Sequence, residues 1–149
     1  MRIIFLDFDG VLNDVRRAKL SGLTNISQKL FDSSLVKLLN QIVTSTGARV
    51  VISSNWRRSN PMSSIHDALA KAGFKGHIMG HTGVDRRGNR GVEIAQWLDA
   101  FYRKTGEHPH YVILDDIPIT GHTDRHVRTD PFRGLTPADA RKAIEMFEE

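Results

Sequence analysis

Three short apolar segments, each followed directly by polar residues, constrain the fold of this chain most strongly. Their length and their content of valine, isoleucine and leucine are typical of buried β-strands. A strand of this kind that runs into acidic residues or serines enters a loop at that point. The segments cover 2–6, 49–52 and 110–114, and they lead into Asp7-Phe8-Asp9-Gly10, Ser53-Ser54-Asn55 and Asp115-Asp116.

Segments with a helical spacing of apolar residues separate these strands, and 77–79 and 126–129 are two further, weaker strand candidates. Strands that alternate with helices predict an α/β fold with a mostly parallel sheet. In such sheets the ligand site lies beyond the carboxyl ends of the strands, where the three polar motifs are expected to meet. The predicted helices start at Ser33 or Ser34, at Ser63 or Ser64, at Arg90 and after Thr136.

The composition fits one globular domain that spans residues 1–149. Hydrophobic residues make up 40% of the chain and charged residues 26%, values close to the average for folded domains. The absence of cysteine excludes disulfides, thiolate metal sites and a cysteine nucleophile. No segment is apolar for long enough to form a signal peptide or to span a bilayer, so we expect a cytoplasmic protein without a membrane partner.

The first polar motif, Asp7-Phe8-Asp9-Gly10, contains two carboxylates that a backbone bend at Gly10 can turn toward one point. A carboxylate at Asp7 can attack phosphorus and form an aspartyl phosphate. Asp9 can then protonate the leaving oxygen and later activate water. A calcium-binding loop is the alternative, but such a loop needs a third ligand before its glycine, and Gly10 comes too early.

The other motifs add candidate ligands for a metal ion and a phosphate. Asp115 and Asp116 are adjacent carboxylates whose repulsion a cation would relieve, and oxygen ligands favour Mg²⁺. A turn or a helix cap is the alternative for this pair. The Ser53 hydroxyl can bind a phosphoryl oxygen, although serines after strands are often caps or turn residues. Arg90 can offset negative charge in the transition state, although an arginine taken alone is more often a surface residue.

Together these motifs resemble the haloacid dehalogenase (HAD) superfamily of phosphotransferases. Additional segments resemble a small capless branch of it, the HAD domains attached to or grouped with RNA-repair ("Swiss Army Knife") proteins, and extend the resemblance over nearly the whole chain. The segments are Asp7-Phe8-Asp9-Gly10-Val11, Ile52-Ser53-Ser54-Asn55-Trp56-Arg57, Arg90-Gly91-Val92-Glu93-Ile94 with Trp97-Leu98, Ile113-Leu114-Asp115-Asp116, and Thr129-Asp130 with Gly134-Leu135-Thr136.

The resemblance implies a Rossmann-like, five-stranded sheet in the order 5-4-1-2-3, flanked by helices and without a large cap. It implies that Asp7 is the nucleophile and a Mg²⁺ ligand. Asp9 would be the acid/base and would offer its backbone carbonyl to the metal. Asp115 or Asp116 would complete the metal site, and Ser53 would hold the phosphate.

Two positions of the resemblance stay open. The third motif of the superfamily usually contains a lysine, whereas this chain has Arg90 at the matching helix start. Ser54 is the alternative to Ser53 as the phosphate-binding residue, although the apolar run ends just before Ser53. The alternatives to Arg90 are Arg86, Arg87 and Lys75.

The spacing of the motifs also suggests a substrate class. Segment 14–32 has 19 residues, which is room for a flap but not for a folded cap domain. An open site admits a large substrate, and a net charge of +4 with clustered arginines favours a polyanion. We therefore expect the phosphate at the end of a nucleic acid strand as substrate. The alternatives are a mononucleotide and an inactive protein that binds nucleic acid.

The residues expected to contact this substrate come from the flap segment and from the motif after the second strand. Trp56 would either stack on a base or pack within the protein. The arginines would bind backbone phosphates, so binding should weaken as the salt concentration rises. The residues are Arg16, Arg17, Asn55, Trp56 and Arg57, with Arg58 beside them.

Overall fold

Five parallel strands form one sheet in the computed structural model, which describes residues 1–13 and 31–149. The order across the sheet is β3-β2-β1-β4-β5, so the strand nearest the amino terminus lies at the centre. This is the predicted order 5-4-1-2-3 seen from the other edge, and the prediction is confirmed. The strands are β1 (Arg2–Leu6), β2 (Arg49–Ile52), β3 (Ile78–His81), β4 (His110–Asp115) and β5 (His126–Arg128).

Helices cover both faces of this sheet, as expected for parallel strands that are joined by crossover connections. None of the helices in the described part of the chain combines the length and the apolar content needed to cross a bilayer. The helices are α1 (Ser33–Thr46), α2 (Trp56–Ser59), α3 (Met62–Lys71), α4 (Arg90–Thr105) and α5 (Pro137–Glu148).

The central strand β1 is buried on both faces because its side chains alternate between two hydrophobic cores. Ile4 and Leu6 belong to the larger core, which contains buried residues of α1, α3 and α5. Ile3 and Phe5 belong to the smaller core, to which α4 contributes Ile94. The sheet is therefore the middle layer of three, and α4 lies on the face opposite the other long helices.

The sequence predicted most element boundaries to within a few residues, and two local features differ. Helix α1 is capped by Asp32, whose carboxylate accepts a hydrogen bond from the Ser34 N–H at 2.9 Å, and not by Ser33 or Ser34. Between β2 and β3 one helix was predicted, but the structure has both α2 and α3. The interval 55–89, all of which is described, contains α2, α3 and β3 and no further helix or strand. The expected flap in segment 14–32 falls largely outside the described residues.

Helix α5 begins with a reciprocal capping box. The Thr136 hydroxyl accepts a hydrogen bond from the Asp139 N–H at 3.1 Å, and the Asp139 carboxylate accepts one from the Thr136 N–H at 3.0 Å. Replacing Thr136 by alanine should lower the free energy of unfolding by about 1 kcal/mol, because one amide at the helix start loses its partner. Urea denaturation followed by circular dichroism measures this loss. Thr136→Ser keeps the hydroxyl and should retain most of the stability; an equal loss in both variants would contradict the capping explanation.

Candidate active site

The carboxyl ends of the three central strands lie side by side, and each is followed by or ends on a polar residue. The Asp7 N–H donates a hydrogen bond to the Leu114 carbonyl at 3.0 Å, which continues the pairing of β1 with β4. The Ser53 N–H donates to the Leu6 carbonyl at 2.9 Å, which continues the pairing of β1 with β2. Parallel register therefore brings Asp7, Ser53 and Asp115 to neighbouring positions at one edge of the sheet.

Three carboxylates form a compact acidic group at this edge. Oxygen atoms of Asp7, Asp115 and Asp116 all lie within 4.8 Å of one another. Asp7 and Asp115 are buried, and Asp116 is half-buried. Burial, followed by repulsion from Asp115, raises the pKa of Asp7 well above its usual value, although Arg90 partly offsets this. The same two causes raise the pKa of Asp116.

Arg90 is the cation that contacts this acidic group. It is the first residue of α4, whose amino terminus is capped by Asn89. Its Nη1 lies 2.7 Å from an oxygen of Asp115 and 3.2 Å from an oxygen of Asp7. Burial acts to lower the pKa of Arg90, but the two carboxylates raise it overall. The alternatives Arg86, Arg87 and Lys75 are exposed, so the geometry favours Arg90 as the cation of the third motif.

The charges of this group suit a divalent cation. Burial and mutual repulsion disfavour ionisation of all three carboxylates at once, and one guanidinium offsets only part of that negative charge, so a bound divalent cation would stabilise their ionised forms. Carboxylate oxygens at such spacing are the ligands that Mg²⁺ prefers. The donor set of Asp7, Asp115 and Asp116 therefore fits the ion that the sequence predicts.

Gly10 makes room for the acidic group. Its φ is +78°, and a Cβ at this position would lie 2.5 Å from Oδ2 of Asp116. The Gly10 carbonyl accepts a hydrogen bond from the Thr129 hydroxyl at 2.6 Å. Thr129 is buried and follows β5, so it ties the first motif to the far side of the site. Nothing in the sequence alone indicated this contact across 119 positions.

The carboxylate of Asp9 is not among the three whose oxygens lie within 4.8 Å of one another. One oxygen accepts a hydrogen bond from the Asn13 amide at 3.0 Å, and the other accepts one from the Trp56 indole N–H at 2.9 Å. The structure therefore does not bring the Asp9 side chain into the metal donor set. Its expected contribution through the backbone carbonyl stays a prediction.

The two serines after β2 have different surroundings. The Ser53 side chain is fully buried, and its hydroxyl has no hydrogen-bond partner among the described residues. The Ser54 hydroxyl instead accepts a hydrogen bond from the Trp56 N–H at 3.2 Å, as at the start of a short helix. Because Ser53 is also the neighbour of Asp7, the geometry favours Ser53 over Ser54 for binding a phosphoryl oxygen.

Arg57 corrects one expectation about substrate contacts. Its guanidinium donates to the carbonyls of the four residues at the ends of β2 and β3 and pairs with Glu93 at 3.0 Å, which uses all five of its N–H groups. No donor is left for a substrate phosphate. The carbonyls belong to Ser53, Ser54, Thr82 and Gly83.

The remaining predicted contact residues have varied positions. Trp56 is half-buried, and its ring stacks one face on Phe31 with centroids 5.0 Å apart and meets Phe8 edge-on at 5.3 Å, which favours the packing role for this residue. Asn55 is exposed at the start of α2. Arg16 and Arg17 lie outside the described residues, and their role stays a prediction.

The strand order, with β1 at the centre, and the acidic residues that follow β1 and end β4 are those of a HAD-type fold and site. A family model described as "HAD domain in Swiss Army Knife RNA repair proteins" matches residues 3–140, and the chain belongs to this family. Membership supports a phosphatase of the HAD type in general terms. Neither the curated proteins nor the solved structures include a significant match to the chain.

Replacing Gly10 by alanine should weaken Mg²⁺ binding, because the new methyl group would push Asp116 out of the acidic group. We expect the dissociation constant to rise by about tenfold or more, as for other changes behind metal ligands. Isothermal titration with MgCl₂ measures this change. The matched control is Gly47→Ala, since Gly47 has a similar φ of +69° and a Cβ there would meet no described atom within 4 Å. Equal weakening in the two variants would show that backbone strain, and not the contact with Asp116, is responsible.

Proposed function

We propose that the protein is a Mg²⁺-dependent phosphatase that hydrolyses phosphomonoesters through a covalent intermediate on Asp7. The observation that carries this proposal is that Asp7 contacts Arg90 and is the in-register neighbour of Ser53, whose buried hydroxyl has no hydrogen-bond partner among the described residues. A phosphoryl group placed next to Asp7 would find a cation on one side and a hydrogen-bond donor on the other. Family membership supports the same class of reaction.

In the first step a carboxylate oxygen of Asp7 attacks phosphorus while the bond to the leaving oxygen breaks. Asp9 gives its proton to that oxygen, and an aspartyl phosphate remains on Asp7. In the second step Asp9, now a carboxylate, takes a proton from water as the water attacks phosphorus. Inorganic phosphate leaves, and the Asp7 carboxylate and the Asp9 carboxyl are restored.

The chain's own residues hold the phosphoryl group and balance its charge. Ser53 would donate a hydrogen bond to a non-bridging oxygen, and Arg90 would offset the charge that develops there. Asp7, Asp115 and Asp116 would hold Mg²⁺, with the Asp9 backbone carbonyl as a further ligand. When bound, Mg²⁺ neutralises negative charge on the transferring group.

The proposed substrate is a phosphate at the end of a nucleic acid strand, in a cytoplasmic setting. The family description, which names RNA-repair proteins, supports this class. Exposed arginines near the site support it as well. Arg128 is paired in register with Asp115 and its Nε lies 3.3 Å from the Asp116 carbonyl, and Arg58 is exposed on α2. Both can meet backbone phosphates beyond the one that is cleaved.

Replacing Asp7 by asparagine should abolish turnover, because an amide cannot form the covalent intermediate. We expect Mg²⁺-dependent phosphate release from p-nitrophenyl phosphate to fall roughly a thousandfold or more. The matched control is Asp67→Asn, the same change at an exposed aspartate of α3, which should keep full activity. Substantial activity of the Asp7 variant would contradict the proposed mechanism.

The substrate class predicts a dependence on salt. At low ionic strength kcat/KM for a phosphorylated oligonucleotide should exceed that for the matching mononucleotide by about tenfold, and it should fall more steeply as KCl rises. Arg58→Ala should lower kcat/KM for the oligonucleotide alone. The control is Arg103→Ala, in the last turn of α4 and roughly 20 Å from Arg90 along the helix. Equal turnover of both substrates at all salt concentrations would favour a nucleotidase.

A further inference from the structure

Both carboxyl oxygens of Asp9 accept hydrogen bonds from neutral side chains that are themselves held in place. Oδ1 accepts from the Asn13 amide at 3.0 Å, and Oδ2 accepts from the Trp56 indole at 2.9 Å. The indole nitrogen can only donate, so the direction of that bond is not in question. These two bonds fix the plane in which the carboxyl group lies.

Trp56 is anchored from three directions. Its ring stacks on Phe31 with an interplanar angle of 21° and packs against Phe8, while its backbone N–H donates to the Ser54 hydroxyl. Its carbonyl accepts hydrogen bonds from the backbone and side chain of Asn60, each near 3 Å. The backbone bonds fix the position of the residue, and the indole N–H cannot turn away from Asp9 without loss of the ring contacts with Phe31 and Phe8.

Asn13 is anchored as well. Asn13 is almost fully buried, and its side-chain oxygen Oδ1 accepts a hydrogen bond from the Gly10 N–H at 3.1 Å. That bond assigns the oxygen of the amide to Gly10 and its NH₂ group to Asp9. The amide thus spans the loop that starts at Asp7 and connects its bend to the carboxyl group of Asp9.

We infer that Trp56 and Asn13 are positioning residues that orient the Asp9 carboxyl for proton transfer and keep it out of the acidic group. The inference rests on the proposed function, in which Asp9 is the acid/base. A carboxyl oxygen has two acceptor positions, so each oxygen of Asp9 can accept its hydrogen bond and still carry or receive the transferred proton. Neutral donors hold the group without adding charge beside the incoming phosphate.

The role of an oriented acid depends on the leaving group. An alkoxide is a poor leaving group and needs the proton from Asp9 as the bond to phosphorus breaks, whereas p-nitrophenolate leaves without it. A loss of orientation should therefore affect alkyl phosphates and spare p-nitrophenyl phosphate. The kcat/KM value reports the steps up to release of the leaving group, so it isolates this proton transfer from the later attack by water.

The test compares benzyl phosphate with p-nitrophenyl phosphate, two substrates of similar size. Trp56→Phe removes the indole N–H and keeps an aromatic ring against Phe31. We expect kcat/KM to fall about tenfold or more for benzyl phosphate and at most about threefold for p-nitrophenyl phosphate. Asp9→Asn should show the same pattern with a larger loss. The matched control is Trp97→Phe on α4, whose ring packs on Phe5 and Phe101 and should affect both substrates equally or not at all.

Asn13→Asp is the second variant, and it keeps the inference testable if Trp56→Phe does not fold. It preserves an acceptor for the Gly10 N–H and removes the donor to Asp9, so the loss should again be larger for benzyl phosphate. The inference is overturned if Asp9→Asn lowers kcat/KM more for benzyl phosphate but Trp56→Phe and Asn13→Asp lower it equally for the two substrates. The proposed function stands in that case. The proposed function itself fails if Asp7→Asn stays active, or if Asp9→Asn lowers kcat/KM equally for the two substrates. The inference then fails with it.

Discussion

The arrangement of the site depends on the ion pairs between the Arg90 guanidinium and the buried carboxylates of Asp7 and Asp115. Desolvation of a carboxylate costs several kcal/mol, and leaving one member of a buried pair without its partner typically costs about 3–5 kcal/mol. The start of α4 must therefore sit at the carboxyl ends of β1 and β4 for the acidic group to form at all. The cap at Asn89 and the packing of Ile94 against the sheet hold the helix in that place.

The two aspartates of the first motif are only two positions apart, yet their surroundings differ in kind. Asp7 faces charged groups, and the balance of those charges calls for a cation. Asp9 faces an amide and an indole, both neutral donors. In the proposed mechanism, one loop would thus provide both the carboxylate that bonds to phosphorus and the carboxyl group that exchanges a proton. Environment, more than residue type, separates the two roles.

The sequence was sufficient for the sheet, because an apolar strand and the polar residues at its end are adjacent in the chain. The bounds of β1 and β2 were predicted without error, and parallel topology then required their ends to meet. The four-residue helix α2 was missed because it is too short to show helical periodicity. Asp32 was missed as a cap because it is adjacent to two serines. All three residue types favour the capping position, and composition does not decide which of them accepts the hydrogen bond from the backbone N–H at the helix start.

Within the site, the sequence could predict that Asp7, Asp115 and Asp116 converge, but not that the Asp9 carboxylate is held outside their group or which polar residues hold each carboxylate. Thr129 and Glu93 make their contacts with Gly10 and Arg57 across long stretches of chain, and neither contact has a local pattern. Arg57 was expected to bind substrate phosphates because it belongs to a cluster of positive charge beside the second motif. Its burial depends on carbonyls from two loops that only the folded sheet brings together.

Arg57 also has a consequence for how variants of this protein should be interpreted. Its guanidinium binds the loop after β2, the loop after β3 and the first turn of α4 through five acceptors. A lysine ammonium has only three N–H groups and could satisfy these acceptors at most in part. Those three segments carry Ser53 and Arg90, so Arg57 connects the backbone that positions both residues. A defect caused by any change at position 57 would therefore report disassembly of a shared scaffold, and it would look in an activity assay like the loss of a direct contact with nucleic acid.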